Sequence, residues 1–220
     1  MDYLVAILLG IVQGATEFLP ISSSAHLRFV PQLIGQSDPG ASFTAIIQLG
    51  TVAAVLIYFY RDLVDIFKSG TQSLMGKVSW SEQNSRLFIG IAIGTLPIIF
   101  LGLILQDTIR TAFRNLYLIS ILLILFGIII WLIDKYLPMT KTNTDLKFSQ
   151  MFLIGIAQSL ALIPGVSRSG ATIAAARLFR LERKDAARFS FLLSVPAVVA
   201  SGFYEALSIS SNNSAGWGPT

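Results

Sequence analysis

Long uncharged, apolar segments alternate along this chain with short segments that carry charge. Five runs without a charged residue stand out, at Pro39–Tyr60, Leu87–Gln106, Asn115–Ile133, Phe148–Ser167 and Phe189–Tyr204. A helix that crosses the hydrocarbon core of a bilayer needs about 20 apolar residues. The first three runs therefore predict transmembrane helices, and the shorter Phe189–Tyr204 reaches spanning length with its flanking residues.

Two apolar segments are interrupted by proline and polar residues before they reach spanning length. Tyr3–Thr16 has only 14 uncharged residues and is followed by Glu17, a proline, three serines and a histidine. Non-helical backbone at membrane depth is tolerated only where it is buried in protein or lines a watery cavity. We therefore interpret Tyr3–Ile34 as a re-entrant helical hairpin, and Phe148–Phe179 has the same pattern.

These two broken segments are copies of one motif. When the sequence is shifted by 145 residues, Gly10–Gln13 aligns with Gly155–Gln158, and the glycine, the isoleucine and the glutamine are identical. The same shift also superposes the outer serines of Ser22–Ser24 on those of Ser167–Ser169. Repeated, broken apolar segments suggest one site where two half-structures meet.

The distribution of lysine and arginine predicts the topology. If the first hairpin enters from outside, twelve cations lie in cytoplasmic segments such as the Arg61–Arg86 loop, three lie outside, and Arg168 stays at a hairpin tip. This obeys the positive-inside rule and inverts one repeat relative to the other. A full span at Tyr3–Leu19 would remove the symmetry. The two repeats cover about 3–62 and 148–207, and the two spans that link them cover about 87–106 and 115–133.

The composition supports a membrane protein and narrows its chemistry. The 220 residues are 54% hydrophobic and 13% charged, whereas soluble domains carry about 25% charged residues. The absence of cysteine excludes disulfides and thiol catalysis. The net charge of +4 does not indicate nucleic acid, because the cations follow the loops. We predict an all-α polytopic membrane protein, one domain over 1–220, with inverted repeats that each place a re-entrant hairpin before transmembrane helices.

Glu17 is a carboxylate among apolar residues, with no lysine or arginine near it in sequence. A charge inside a membrane costs about 2.5–3.5 kcal/mol on insertion scales, which makes a function the default interpretation. The alternative is a hydrated glutamate at the interface. Gln13 lies at i−4 on the same helical face. Two oxygen-bearing side chains there suit a divalent cation or an activated water.

His26 is the single histidine, nine residues after Glu17 and across a Pro-Ile-Ser-Ser-Ser turn that could fold the two together. It serves either as a nucleophile or proton-transfer group, or as a structural histidine. Ser22, Ser23 and Ser24 have two compatible roles, which are capping the following helix and binding an anion at its N-terminus.

A second polar cluster follows the proline of the second copy. Its members are Ser167, Arg168, Ser169, Gly170 and Thr172. Arginine makes forked contacts with phosphate oxygens, so this cluster predicts a phosphate cradle at a helix N-terminus. The alternative is that Arg168 is a structural partner of Glu17.

Together these residues predict an anion site with acid and base groups at lipid depth. Its natural ligand is a phosphate-bearing lipid, and the reaction class is hydrolysis of a phosphoryl ester or anhydride. A competing interpretation is a lipid-phosphate or anion transporter, because secondary transporters use the same inverted repeats with broken helices.

The segments Gln13–His26 and Pro164–Thr172 resemble the two signature motifs of the undecaprenyl-diphosphatase family, the bacitracin-resistance proteins of bacteria. The resemblance implies hydrolysis of undecaprenyl diphosphate to the monophosphate and inorganic phosphate. That reaction recycles the lipid carrier of peptidoglycan synthesis at the outer face of the inner membrane. The resemblance also implies a divalent cation, Mg²⁺ or Ca²⁺, and a homodimer. Members of this family usually continue for two more transmembrane spans at the C-terminus, and we expect those two spans to be missing from this chain.

The resemblance implies roles for single residues as well. Glu17 is expected to be the essential acidic residue and Arg168 the diphosphate clamp. His26 is expected to be a nucleophile or proton donor, and Ser23 a nucleophile or phosphate ligand. Gln13 stands where many members have glutamate. Because a neutral amide cannot be a general base, base chemistry is expected to fall to Glu17.

Overall fold

The computed structural model describes residues 2–105 and 115–211, and this part of the chain consists of helices joined by short turns. Its described helices are α1 (Tyr3–Glu17), α2 (Ser23–Leu33), α3 (Gly40–Tyr58), α4 (Tyr60–Leu74), α5 (Gln83–Ile104), α6 (Leu116–Tyr136), α7 (Phe148–Ser159), α8 (Arg168–Leu178) and α9 (Arg183–Ser211). Two 3-10 turns lie at Asn143–Asp145 and Leu160–Leu162. The predicted all-α class is confirmed.

Both predicted hairpins are present, and their helices keep the 145-residue offset. α1 and α2 form the first hairpin, while α7 with its 3-10 turn, followed by α8, forms the second. The first residues of α2 and α8, Ser23 and Arg168, are 145 positions apart, as are their last residues, Leu33 and Leu178. The repeat in the sequence is therefore a repeat in the structure.

Two described helices, α5 and α6, are long and apolar enough to cross a membrane. The predicted spans at 87–106 and 115–133 fall on them with slightly different bounds. Ile46–Tyr58 and α4 are bent by 74° relative to each other at a short break. If the two are counted together as one broken span, they form a third span. The membrane class is confirmed, while residues 107–114, between the two predicted spans, lie outside the described residues.

The prediction that Arg61–Arg86 is a loop is wrong for its first half. Tyr60–Leu74 forms helix α4, which packs along α5. Its buried residues Ile66, Gly70 and Ser73 recur at the spacing of one helical face. The prediction counted the charges of this segment without their periodicity, and periodicity is what distinguishes an amphipathic helix from a loop.

A close contact between α5 and α7 fixes the second hairpin. A methyl group added to Gly155 would lie 2.2 Å from the carbonyl oxygen of Gly94, so the two backbones touch. Gly90 and Gly94 have the four-residue spacing of small residues that lets membrane helices approach closely. Helix α9 also buries Phe189 and Leu192 completely. The N-terminus of α8 is therefore positioned by a packed core.

Candidate active site

The carboxylate of Glu17 lies at the end of α1 and accepts hydrogen bonds from four side chains. Gln13 donates its amide to Oε2 at 2.9 Å, and the Ser23 hydroxyl donates to the same oxygen at 2.6 Å. Oε1 accepts from the Gln48 amide at 3.4 Å and forms an ion pair with the Arg168 guanidinium. The side chains of this pair are only 13% (Glu17) and 15% (Arg168) exposed. Donors from both repeats therefore hold one partly buried carboxylate.

The two hairpins bring equivalent residues of the repeat into contact with this carboxylate. Ser23 is the first residue of α2 and Arg168 the first residue of α8, at matching places in the repeat. Free N–H groups and the helix dipole favour an anion at a helix N-terminus. Glu17 thus lies beside two N-termini, where a phosphate was predicted. Its pairing with Arg168, which the sequence left as an alternative, is present in the structure.

Ser169 ties the tip of the second hairpin to that of the first. Its hydroxyl donates to the carbonyl oxygens of Glu17 and Leu19, both at 3.2 Å. Ser167 caps α8 by accepting a hydrogen bond from the Gly170 N–H at 3.1 Å, and its hydroxyl is 3.1 Å from that of Ser169. The predicted capping role is therefore present in this copy of the motif.

The serine motif of the first copy has a different geometry. Ser22 has φ +65° and makes no side-chain cap bond, and its hydroxyl lies 3.1 Å from that of Ser24. The Ser22 carbonyl is 2.9 Å from Nδ1 of His26. A carbonyl oxygen only accepts, so Nδ1 carries the hydrogen and Nε2 of neutral His26 is the basic atom. Among the described contacts, His26 makes no hydrogen bond to Glu17.

Gly170 and Thr172 contribute to the packing of α8. A Cβ on Gly170 would lie 2.8 Å from Cδ1 of Ile130, so α8 approaches α6 closely at this point. Thr172 is fully buried, and its hydroxyl bonds to the Arg168 carbonyl at 2.8 Å and to the Ser190 hydroxyl. Both residues hold the helix that carries Arg168, and their contact with substrate stays a prediction.

A cleft that is open to solvent lies beside Glu17 and Arg168. One wall comes from α3 with Val52 and Val55, and the other comes from α9 with residues such as Val195. A small set of polar groups at one end of apolar walls is typical of a site that orients an amphipathic ligand. The cleft therefore suits a lipid whose phosphate lies at the Glu17 end.

Gln13 has an oxygen that fits a bound cation. Its Oε1 is buried without a hydrogen-bond partner, while the amide nitrogen of the same side chain bonds to Glu17. In the part of the chain that the structure describes, no group of three or more His, Cys, Asp or Glu side chains could hold a metal ion. A cation here would depend on Glu17, amide oxygens, water and phosphate, a ligand set that Mg²⁺ commonly uses.

Gln48 is the site residue that sequence reasoning missed. It lies in the middle of the predicted span Pro39–Tyr60. A signal was present, because polar side chains within a span tend to face functional cavities. Gln48 is 31 residues from Glu17 in the chain, however, and only the folding of α3 against α1 brings the two together.

The fold and the site together define a class, a polytopic helical membrane protein whose two broken hairpins meet at a partly buried, charged site beside an apolar cleft. The family model for the bacitracin resistance protein BacA matches residues 6–218 of this chain. The chain therefore belongs to the BacA family.

Curated relatives agree with this over nearly the whole chain, and each is named undecaprenyl-diphosphatase. The relative from Chloroherpeton thalassium is 49% identical over 216 residues, covering 95% of this chain and 76% of the relative. The one from Chlorobium phaeobacteroides is 52% identical over 208 residues, covering 91% and 73%. The one from Clavibacter michiganensis is 49% identical over 221 residues, covering 100% and 81%. The resemblance in the two motifs is confirmed.

Proposed function

We propose that this chain is a membrane phosphatase that hydrolyses undecaprenyl diphosphate to undecaprenyl phosphate and inorganic phosphate. This activity recycles the lipid carrier for peptidoglycan synthesis and confers resistance to bacitracin. Membership of the family and the names of the relatives support it. The structural observation that carries it is the partly buried Glu17–Arg168 pair beside two helix N-termini, next to an apolar cleft.

Arg168 is the residue that we assign to the diphosphate. Its guanidinium is paired with Glu17 in the structure, so the substrate binds by exchange, with phosphate oxygens replacing the carboxylate on Arg168. Exchange keeps the guanidinium paired, while the Glu17 carboxylate keeps its hydrogen bonds from Gln13, Ser23 and Gln48. The apolar walls at Val52 and Val195 then contact the first isoprene units of the lipid.

Ser23, His26 and Glu17 supply the reacting groups. The Ser23 hydroxyl, 2.6 Å from Glu17, is placed to bind a phosphate oxygen or to attack phosphorus. Nε2 of His26 is the atom that attacks or transfers a proton, because Nδ1 is held by the Ser22 carbonyl. Gln13 and Glu17 are the residues that would hold Mg²⁺ or Ca²⁺. Such a cation supplies charge stabilisation to the phosphate oxygens.

Two mechanisms lead to the same products. In the covalent mechanism, His26 or Ser23 forms a bond to the terminal phosphorus, the bond to the bridging oxygen breaks, and water later cleaves the phospho-enzyme. In the direct mechanism, Glu17 takes a proton from water, whose oxygen attacks the terminal phosphorus while the bond to the bridging oxygen breaks and undecaprenyl phosphate leaves. Rapid-quench hydrolysis of a substrate that carries ³²P in its terminal phosphate separates the two, because only the covalent mechanism leaves the label on the protein before phosphate is released.

Phosphate release tests the proposed function. The purified protein in detergent, with a C55 prenyl diphosphate and Mg²⁺ or Ca²⁺, is expected to release phosphate, and Glu17→Ala, His26→Ala and Arg168→Ala are each expected to abolish release. Gln32→Ala, at an exposed position of α2, is the matched control. The Chlorobium phaeobacteroides relative is the positive control. A transporter would bind the lipid without releasing phosphate, because detergent provides no second compartment.

We also infer that the site opens toward the outer face of the bacterial inner membrane. The positive-inside rule supports this orientation, since it places twelve of the cations inside. A cysteine introduced at Asp38, between α2 and α3, tests it in intact cells with a maleimide that cannot cross the membrane. Labelling from outside agrees with the inverted topology, whereas labelling only from the cytoplasm contradicts it.

A further inference from the structure

We propose that Gln48 is a positioning residue for the Glu17 carboxylate. Its amide keeps Oε1 of Glu17 in place once Arg168 has exchanged the carboxylate for the diphosphate. This inference deepens the phosphatase function proposed above and rests on it.

The donors around Glu17 divide between its two carboxylate oxygens. Gln13 and Ser23, both in the first hairpin, donate to Oε2. Gln48 from α3 and Arg168 from α8 donate to Oε1. When Arg168 turns to the phosphate, Gln48 is the remaining donor to Oε1 among the described side chains. Without it, the carboxylate has protein donors at only one of its two oxygens.

The distance of 3.4 Å between the Gln48 amide nitrogen and Oε1 of Glu17 is long for a hydrogen bond. Arg168 shares the same oxygen and, being charged, is the stronger donor. Catalytic hydrogen bonds are often long before the substrate binds and shorten in the reacting complex. We therefore expect the Gln48 bond to shorten as Arg168 leaves Glu17.

The second repeat provides an internal comparison. The 145-residue offset places Leu162 at the position of Glu17 and Leu193 at the position of Gln48. Leu193 is fully buried and contacts the α5 backbone near Gly94. This helix position therefore accepts leucine where no carboxylate faces it. The amide and the carboxylate occur together in one repeat and are both absent from the other, as a positioning role requires.

Gln48→Leu tests the role with a side chain of similar size, the one that the second repeat has at this position. Loss of one hydrogen bond to a charged group is expected to lower kcat for phosphate release about tenfold. The KM for the C55 prenyl diphosphate is expected to change by less than about twofold, because Arg168 and the cleft walls are unaltered. Gln32→Leu, the same substitution at an exposed position of α2, is the control.

The split between kcat and KM is the readout that a purely structural role would not give. A loosened fold would disturb substrate binding as well as turnover, whereas loss of the Gln48 hydrogen bond is expected to lower kcat and leave KM nearly unchanged.

The outcomes separate this inference from the function on which it rests. Wild-type release together with an unchanged kcat in Gln48→Leu would overturn the positioning role alone, as would a change in KM as large as the change in kcat. Loss of activity in proportion to a lowered unfolding midpoint would overturn it as well. No release by the wild type, under conditions in which the Chlorobium phaeobacteroides relative releases phosphate, would refute the phosphatase function itself.

Discussion

Gly155→Ala is expected to destabilise the protein, because Gly155 lies where the backbones of α5 and α7 touch. An added Cβ would lie 2.2 Å from the carbonyl oxygen of Gly94 and 2.5 Å from its Cα. Carbon and oxygen atoms in close contact are about 3.3 Å apart, so the helices would have to separate by about 1 Å. The contact is with backbone, so no side chain can rotate to relieve it.

The expected magnitude follows from a comparison between the two repeats. Overpacking costs about 1–3 kcal/mol. Because the contact is with backbone, we expect Gly155→Ala to cost about 3 kcal/mol. Alanine also gains about 0.5–1 kcal/mol over glycine inside a helix. Gly10→Ala isolates that gain, because Gly10 is the equivalent residue in α1 and has no atom within 4 Å of an added Cβ. The gain cancels in the comparison, so the variants should differ by about 3 kcal/mol in the free energy of unfolding.

Thermal unfolding of the two purified variants in the same detergent and at the same scan rate measures this difference. At about 2–4 °C per kcal/mol for a chain of this size, Gly155→Ala is expected to unfold about 6–12 °C below Gly10→Ala. Equal midpoints would refute the close approach of α5 and α7 and the reasoning built on it.

Three further changes test other parts of the structure. Arg168→Lys is expected to lower kcat/KM for phosphate release about ten- to a hundredfold, because an ammonium cannot make the forked contact; equal kinetics would exclude the clamp. Arg177→Met is expected to lower the free energy of unfolding by about 3 kcal/mol, because Arg177 is 1% exposed and its guanidinium donates to three backbone carbonyls; thermal unfolding measures this. Partial burial raises the pKa of Glu82, but backbone N–H groups at the start of α5, including that of Ser85, outweigh this and hold the pKa below its usual 4.5. Glu82 therefore stabilises the fold above pH 4.5, and the difference in unfolding midpoint between wild type and Glu82→Gln should shrink as pH falls through the lowered pKa.

The helical layout could be predicted wherever it depends on local patterns. The breaks after Glu17 and before Arg168 follow from proline and polar residues in apolar segments that are too short to span. The matching starts of α2 and α8 follow from the repeated motif. α4 was missed because a count of charges across Arg61–Arg86 ignores the helical spacing of its buried residues.

The details of the two motifs could not be predicted from residue types. Ser167 caps α8 with its hydroxyl, whereas the equivalent Ser22 has a positive φ and makes no side-chain cap bond. Both are serines after a break, so local propensity is the same for the two. Their surroundings differ, since one copy has Glu17 where the other has Leu162.

The sequence by itself determined which residues place charge within the broken apolar segments, with Glu17 in one segment and Arg168 in the other. It also determined the helices that carry them, because apolar periodicity and breaks act over a few residues. Only the tertiary structure decided that Ser23, Gln48 and Arg168 share one carboxylate. These contacts join residues 6, 31 and 151 positions apart. Such pairings are set by the packing of whole helices against one another, and no local pattern contains that information.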